Sequence, residues 1–253
     1  MKNTLFIGKV YQHFVEIDST NKYAMDWAAK SRPAEGAVVR ADSQSAGKGQ
    51  FGSRWQAEAG KNLTLSVVLY PVWLDAADQF YLSIVSALAV RDALARLGFP
   101  EAQVKWPNDI LLHGRKTAGI LIQNSLKGSQ INATIVGIGL NVNQTTFAPE
   151  LPNATSMALE GLDTFDLLNA EATLFSSLEQ HYLQLKAGKR RELAEAYLQH
   201  LFQRNRWSEY VRPNGATFRA LLTGVDLPGG RLVLHLEDGA VKRFEVKEIG
   251  FLY

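Results

Sequence analysis

Gln44-Ser-Ala-Gly-Lys-Gly-Gln-Phe-Gly-Ser-Arg-Trp55 is the stretch on which the fold turns. Gly47, Gly49 and Gly52 satisfy the dinucleotide-binding spacing G-x-G-x-x-G, and Gly47 and Gly52 have the separation of a P-loop. The first motif requires a helix to open directly after the glycines, and the second needs Lys-Ser/Thr where this chain has Ser53-Arg54. After the glycines comes instead the alternating run Asn62 to Tyr70 (NLTLSVVLY), which predicts a strand, and Gly36 to Asp42 (GAVVRAD) predicts another before the loop. Neither familiar motif therefore holds, but the physics beneath them survives. Adjacent glycines let backbone N–H groups approach a phosphate, Lys48 and Arg54 supply charge, and Trp55 offers a stacking face. For the three glycines alone, a glycine-rich surface turn is the better reading.

Working outward, apolar residues recur from Ala76 to Leu97 at Ala77, Phe80, Tyr81, Ile84, Val85, Leu88, Leu94 and Leu97, a core-facing helical stripe that Gly98 stops. Short strands are expected at Gln103 to Trp106, Asp109 to His113, Thr117 to Asn124 and Gln130 to Asn141, with turns at Gly114 and Gly128, as antiparallel neighbours. Helical stripes return over Asp163 to Leu185 and Glu192 to Phe202, interrupted at Gly188. Beyond Trp207, strands at Thr217 to Thr223, Arg231 to Leu236 and Val241 to Val246 are punctuated by Leu227-Pro-Gly-Gly230 and Glu237-Asp-Gly239. The expected fold class is α+β: a mixed, largely antiparallel sheet packed with helices over residues 1–207, and a small β-barrel over 208–253 that leans on the larger unit.

Composition narrows the chemistry. With 46% apolar and 21% charged residues in 253, collagen-like, disordered and membrane-spanning classes drop out. The absence of cysteine removes disulfides, thiol nucleophiles and thiolate metal sites. A formal charge of +2 is far from that of a general nucleic-acid binder, so any polyanion bound is expected to be small. The start, MKNTLFIGKVYQHF, is broken by charge before it makes a signal-peptide core, and a cytoplasmic enzyme is the default expectation.

Three further stretches carry candidate chemistry. Lys105, in Val104-Lys-Trp-Pro-Asn-Asp109, sits on an apolar strand beside Trp106, and Pro107 pushes Trp106 toward extended backbone. An ammonium held there stabilises charge developing on a phosphoryl or acyl oxygen, whereas Asn108 and Asp109 read equally as a plain turn. Gly137-Ile-Gly-Leu-Asn-Val-Asn143 alternates small and apolar residues, so it reads either as a flat floor for a ligand, with Asn141 reading a nucleotide, or as a glycine-kinked strand. In Asp18-Ser-Thr-Asn21, Ser19 or Thr20 is a helix N-cap, and a helix N-terminus also suits anionic ligand groups. The five histidines lack zinc spacing, and neither H-E-x-x-H nor G-x-S-x-G occurs.

Taken in order, Asp18-Ser-Thr-Asn21, the Gln44 to Trp55 block, Lys105-Trp-Pro-Asn-Asp109, Lys116-Thr-Ala-Gly-Ile-Leu121 and Gly137 to Asn143 resemble the biotin protein ligases. The resemblance spans most of residues 11 to 145, and Lys247-Glu-Ile-Gly-Phe251 is similar to the end of that family's small SH3-like barrel. It implies the catalytic fold shared with class II aminoacyl-tRNA synthetases. Only seventeen residues precede Asp18, so the expected form is the one without a DNA-binding helix-turn-helix. The implied activity is ATP-dependent: biotin is activated as biotinyl-5′-AMP, then transferred to a lysine of the biotin carboxyl carrier protein of a biotin-dependent carboxylase. Carried over by position, Ser19, Thr20, Asn21 and Gln44 hold the biotin ureido ring, Lys48, Gly49 and Gln50 cover biotin and phosphate, and Gly119 borders biotin. Gly47, Arg54, Trp55, Asn108, Lys116 and Asn141 join Lys48 in the ATP site, with Trp55 against adenine. Lys105 neutralises charge between the biotin carboxylate and the α-phosphate, and Mg²⁺ accompanies ATP on phosphate ligands rather than in a protein cage. Many relatives have arginine where this chain has Lys48, Gln50 and Ser53, which implies looser retention of the adenylate unless Arg54 and Lys61 compensate. Nucleic acid and membrane are not expected partners, and a homodimer stays open. The alternatives are a lipoate or octanoate ligase on the same fold, or a non-catalytic biotin- or nucleotide-binding module, of which loss of Lys105 would be the mark.

Overall fold

Seven strands make the larger sheet of the computed structural model, which describes residues 4–252. They are β1 (Tyr11–Ile17), β2 (Val38–Gln44), β3 (Leu63–Leu69), β4 (Gln103–Lys105), β5 (Asp109–Leu112), β6 (Arg115–Lys127) and β7 (Gln130–Leu140), in the order β1-β2-β3-β7-β6-β5-β4. Only β1 and β2 run parallel, because the helix α1 (Thr20–Ser31) crosses between them; the remaining pairs are antiparallel. That crossover positions the site. Parallel register sets Ile17 opposite Gln44, so the start of α1 and the end of β2 emerge side by side.

Alternation along β3 divides the two faces of the sheet. Leu63, Leu65 and Val67 pack with α2 (Phe80–Arg96), α4 (Leu167–Lys186) and α5 (Arg190–Gln199) in the main core. Val68 turns the other way, with Val39 and Ile135, against Ala24 and Ala28 of α1. After α2 the chain turns at Gly98, with φ +103°, and Phe99 N–H bonds back to Leu94 O, the expected helix stop.

The C-terminal segment forms a second antiparallel sheet: β8 (Trp207–Val211), β9 (Thr217–Asp226), β10 (Arg231–Leu236), β11 (Val241–Phe244) and β12 (Gly250–Phe251), in the order β11-β10-β9-β8-β12. Its buried Tyr210, Leu222, Leu232, Leu234 and Phe244 belong to the same core as the helices of the larger sheet.

Several local expectations move. β1 is an edge strand whose His13, Glu16 and Val15 all face outward, so it lacks the half-buried alternation that marks a strand. Ala76–Asp78 is a 3-10 turn ahead of α2 rather than its first turn. Asp166, whose carboxylate accepts from Leu168 N–H, caps α4 and starts it later than Asp163, leaving Leu168 exposed rather than in the core stripe. α5 lies two to three residues earlier than the stripe from Glu192 to Phe202 suggests, and α3 (Met157–Gly161) is a short additional helix.

Candidate active site

Ser19 caps α1 by accepting from Lys22 N–H. One residue on, Thr20 donates its backbone N–H and directs its hydroxyl to the same atom, Gln44 Oε1, at 2.7 and 3.0 Å. Asn21 donates from Nδ2 to Gln123 Oε1 at 3.1 Å and Leu121 O at 3.4 Å, both on β6. Ser66 of β3 closes this group: its Oγ lies 2.8 Å from Thr20 Oγ1 and 2.5 Å from Asn21 Oδ1. Neither Ser66 nor Gln123 stands out in sequence. A serine within an alternating strand reads as a solvent-face polar, and here that face is covered by the start of α1.

Between these side chains the floor is bare backbone. A Cβ at Gly137 would collide with the Asn21 amide, and one at Gly139 with the Trp55 indole. The indole lies flat over β6 and β7 at Gly119 and Gly139, which are paired in register, and its Nε1 is buried without a hydrogen-bond partner. Lys116 Nζ stands 5.8 Å from that ring's centroid.

The glycine loop folds on itself as a narrow ladder, with Trp55 N–H donating to Gly47 O at 3.1 Å and Gly49 N–H to Ser53 O at 2.8 Å. Lys48 and Arg54 face each other across it, and Gln50–Gly52 turn as a 3-10 helix at its tip. The N–H of Gly49 is thus spent within the loop rather than offered to a phosphate, and what requires glycine at 47 is the close approach of the Trp55 carbonyl.

Opposite the hydroxyl–amide group sit the cations. Asp109 holds Lys116 Nζ at 2.6 Å on Oδ1 and Lys105 Nζ at 3.9 Å on Oδ2. Lys105 also lies over the Phe251 ring, 5.5 Å from its centroid. Asn108 donates from Nδ2 to Ile120 O at 2.9 Å and accepts from Ile120 N–H, which fastens the turn to β6. A cleft of about 250 Å³ connects the two ends. Ser19, Thr20, Asn21, Gln44, Lys48, Gly49, Gln50, Arg54, Trp55, Asn108, Lys116 and Gly119 line it, as does Val246 from the turn between β11 and β12. Three of the residues singled out in the sequence stand outside the lining. Gly47 sits at the base of the loop's ladder with its carbonyl taken by Trp55 N–H, and Lys105 is one ion pair removed through Asp109. Asn141 is buried, spending Nδ2 on Thr155 O at 2.9 Å while its Oδ1 has no partner. Among the described residues no cluster of three His, Asp or Glu side chains fits a metal, and Asp109 is the one carboxylate lining the cleft.

Residues 14–141 match the model of the biotin/lipoate A/B protein ligase family, a segment that holds all these residues except Val246, Phe251 and Thr155. The chain belongs to this family. It is 30% identical over 238 residues to the bifunctional ligase/repressor BirA of Bacillus spizizenii, covering 92% of this chain and 68% of that protein. To the biotin--[acetyl-CoA-carboxylase] ligase of Paracoccus denitrificans it is 42% identical over 127 residues, 49% of this chain and 51% of the other. This member of the biotin/lipoate ligase family therefore spans from about half to two thirds of the length of those relatives. Its fold is that of a biotin protein ligase from Aquifex aeolicus in complex with biotin and ATP, with a TM-score of 0.79 at 22% identity, over 96% of this chain and 99% of that one. Among the described residues, no helix is long and apolar enough to cross a membrane.

Proposed function

We propose that the cleft joins biotin to ATP and passes the activated biotinyl group to a lysine of a biotin carboxyl carrier protein. The observation that carries this reading is the polarity of the cleft: a neutral hydroxyl–amide group at one end, cations around Asp109 at the other, and a side-chain-free floor between. A cyclic urea needs neutral hydrogen-bonding partners, which a dithiolane ring does not, and a carboxylate meeting a triphosphate needs positive charge where the two anions approach. The Paracoccus denitrificans relative, named as a biotin--[acetyl-CoA-carboxylase] ligase, supports the same assignment.

In the first step the biotin carboxylate oxygen forms a bond to the α-phosphorus, the bond from that phosphorus to the bridging oxygen breaks, and pyrophosphate leaves. Thr20, Asn21 and Gln44 orient the ring, while Lys116, with Lys105 behind it on Asp109, balances charge at the mixed anhydride. In the second, the neutral amine of a carrier lysine attacks the biotinyl carbonyl, the acyl C–O bond breaks, AMP leaves and the amine releases a proton. Trp55 serves as the adenine-facing surface, and Asn141 ties the end of β7 to the segment before α3. Asp109 is the one carboxylate lining the cleft, too few for a protein-built metal cage, so Mg²⁺ accompanying ATP would take most of its ligands from the phosphates and would there withdraw charge from them. Residues 1–207 act as the catalytic unit and 208–253 as a small β-module that reaches the cleft through Val246.

The test is incubation with biotin, Mg-ATP and a carrier domain, followed by mass measurement of the carrier. Wild type should add one biotinyl group per carrier, and Lys105→Ala should abolish the gain with its circular dichroism spectrum unchanged. No gain with wild type overturns the reading.

A further inference from the structure

Ser66 is fully buried below the cleft floor, yet it touches two of the side chains that line it. Counting protons along this group fixes its direction. Leu121 O only accepts, so the Asn21 nitrogen must face it and the Asn21 oxygen must face Ser66. Ser66 Oγ, 2.5 Å from that oxygen, spends its single proton there, and toward Thr20 Oγ1 at 2.8 Å it can only accept. The one hydroxyl proton of Thr20 is then drawn away from the cleft, by Ser66 Oγ at 2.8 Å or Gln44 Oε1 at 3.0 Å. Thr20 Oγ1 and Asn21 Oδ1 are left presenting lone pairs to a ligand, with no hydrogen to give it.

We propose that Ser66 is a specificity-determining positioning residue: by orienting Thr20 and Asn21 as acceptors, it makes the ring end of the cleft select a ligand that brings N–H donors. A cyclic urea brings two. A dithiolane or a plain acyl chain brings none, and would leave the remaining lone pairs of Thr20 Oγ1 and Asn21 Oδ1 facing the ligand with no donor, a cost that discriminates against it. The inference rests on the biotin reading above and adds to it the residue that enforces the choice.

Calorimetric titration of biotin into wild type, Ser66→Ala, Asn21→Ala and the double variant tests it, together with the KM for ATP in each. Ser66→Ala should weaken biotin about tenfold, corresponding to loss of one buried hydrogen bond, while the KM for ATP stays within about twofold. In the Asn21→Ala background the same change should cost about threefold or less, because the group through which Ser66 acts is already gone. Ser66→Cys, of similar size but a weaker donor, should fall between wild type and alanine, and it provides the reading should the alanine variant fail to fold. Biotin binding by Ser66→Cys equal to wild type, or a full tenfold penalty in both backgrounds, overturns the proposal while leaving the biotin reading intact. A wild-type protein that does not bind biotin overturns the reading itself.

Discussion

Gly139 shows what a single missing side chain does here. It lies under the Trp55 indole, where any Cβ would overlap the ring, so the flat contact between tryptophan and sheet exists only with glycine at that position. Gly139→Ala should push the indole off the floor at an overpacking cost of about 1–3 kcal/mol, and the KM for ATP should rise about tenfold. On the proposed reading, in which Thr20, Asn21 and Gln44 orient the ring, the biotin affinity should stay within about twofold by calorimetry. This residue was legible as part of a glycine-patterned strand, because alternating small residues on one face invite a flat contact. The identity of the contacting ring was not legible, since it comes from a loop more than eighty positions away. Ser66 and Gln123 were illegible for a related reason: their chemistry depends on which face of the sheet α1 covers, and alternation alone does not say.

At the scale of elements, α2 and α4 are joined at Asp92 and His181, whose Nε2 lies 2.8 Å from Asp92 Oδ2, with Arg91 also paired to Asp92 at 2.9 Å. Burial pushes the Asp92 carboxyl upward, but the hydrogen bonds and charges of His181 and Arg91 outweigh it and hold the group below its ordinary range. A carboxylate with a depressed folded value stabilises the protein above its unfolded pKa, about 3.9, and that contribution is lost as pH falls through the folded value. Asp92→Asn should therefore lower the thermal midpoint by about 2–4 °C above pH 5, and the two melting curves should converge toward low pH. The helices themselves arise from sequence pattern. The stripe of α2 and its stop at Gly98 are local properties, whereas β1 is invisible locally because an edge strand with both kinds of residue facing water has no period to display.

For the whole molecule, the question is why the seven-stranded sheet carries a second sheet of five strands. The contacts answer it. Trp106 Nε1 donates to Gly230 O at 2.7 Å, the Phe80 ring packs on Gly230, Val246 lines the cleft, and Phe251 presents its ring to Lys105. The residues on either side of the Lys105–Trp106 peptide are thus both held by the second sheet, one by a hydrogen bond and one by an aromatic face. A cation over such a ring gains about 0.5–1 kcal/mol at a partly exposed site, while the carboxylate of Asp109 draws the same ammonium from the other side. Phe251→Leu keeps an apolar side chain of similar reach but removes the ring, so Lys105 should sample more positions and kcat for carrier biotinylation should fall about threefold. The KM for biotin should be unchanged, because Gln44, Ser66, Leu121 and Gln123, the partners of Thr20 and Asn21, all belong to the larger sheet. Phe251→Tyr retains the aromatic face and should restore kcat, which separates an effect on the ammonium from a simple loss of packing at β12. If leucine and tyrosine behaved alike in single-turnover measurements, the second sheet would be holding Trp106 and Val246 in place without steering Lys105.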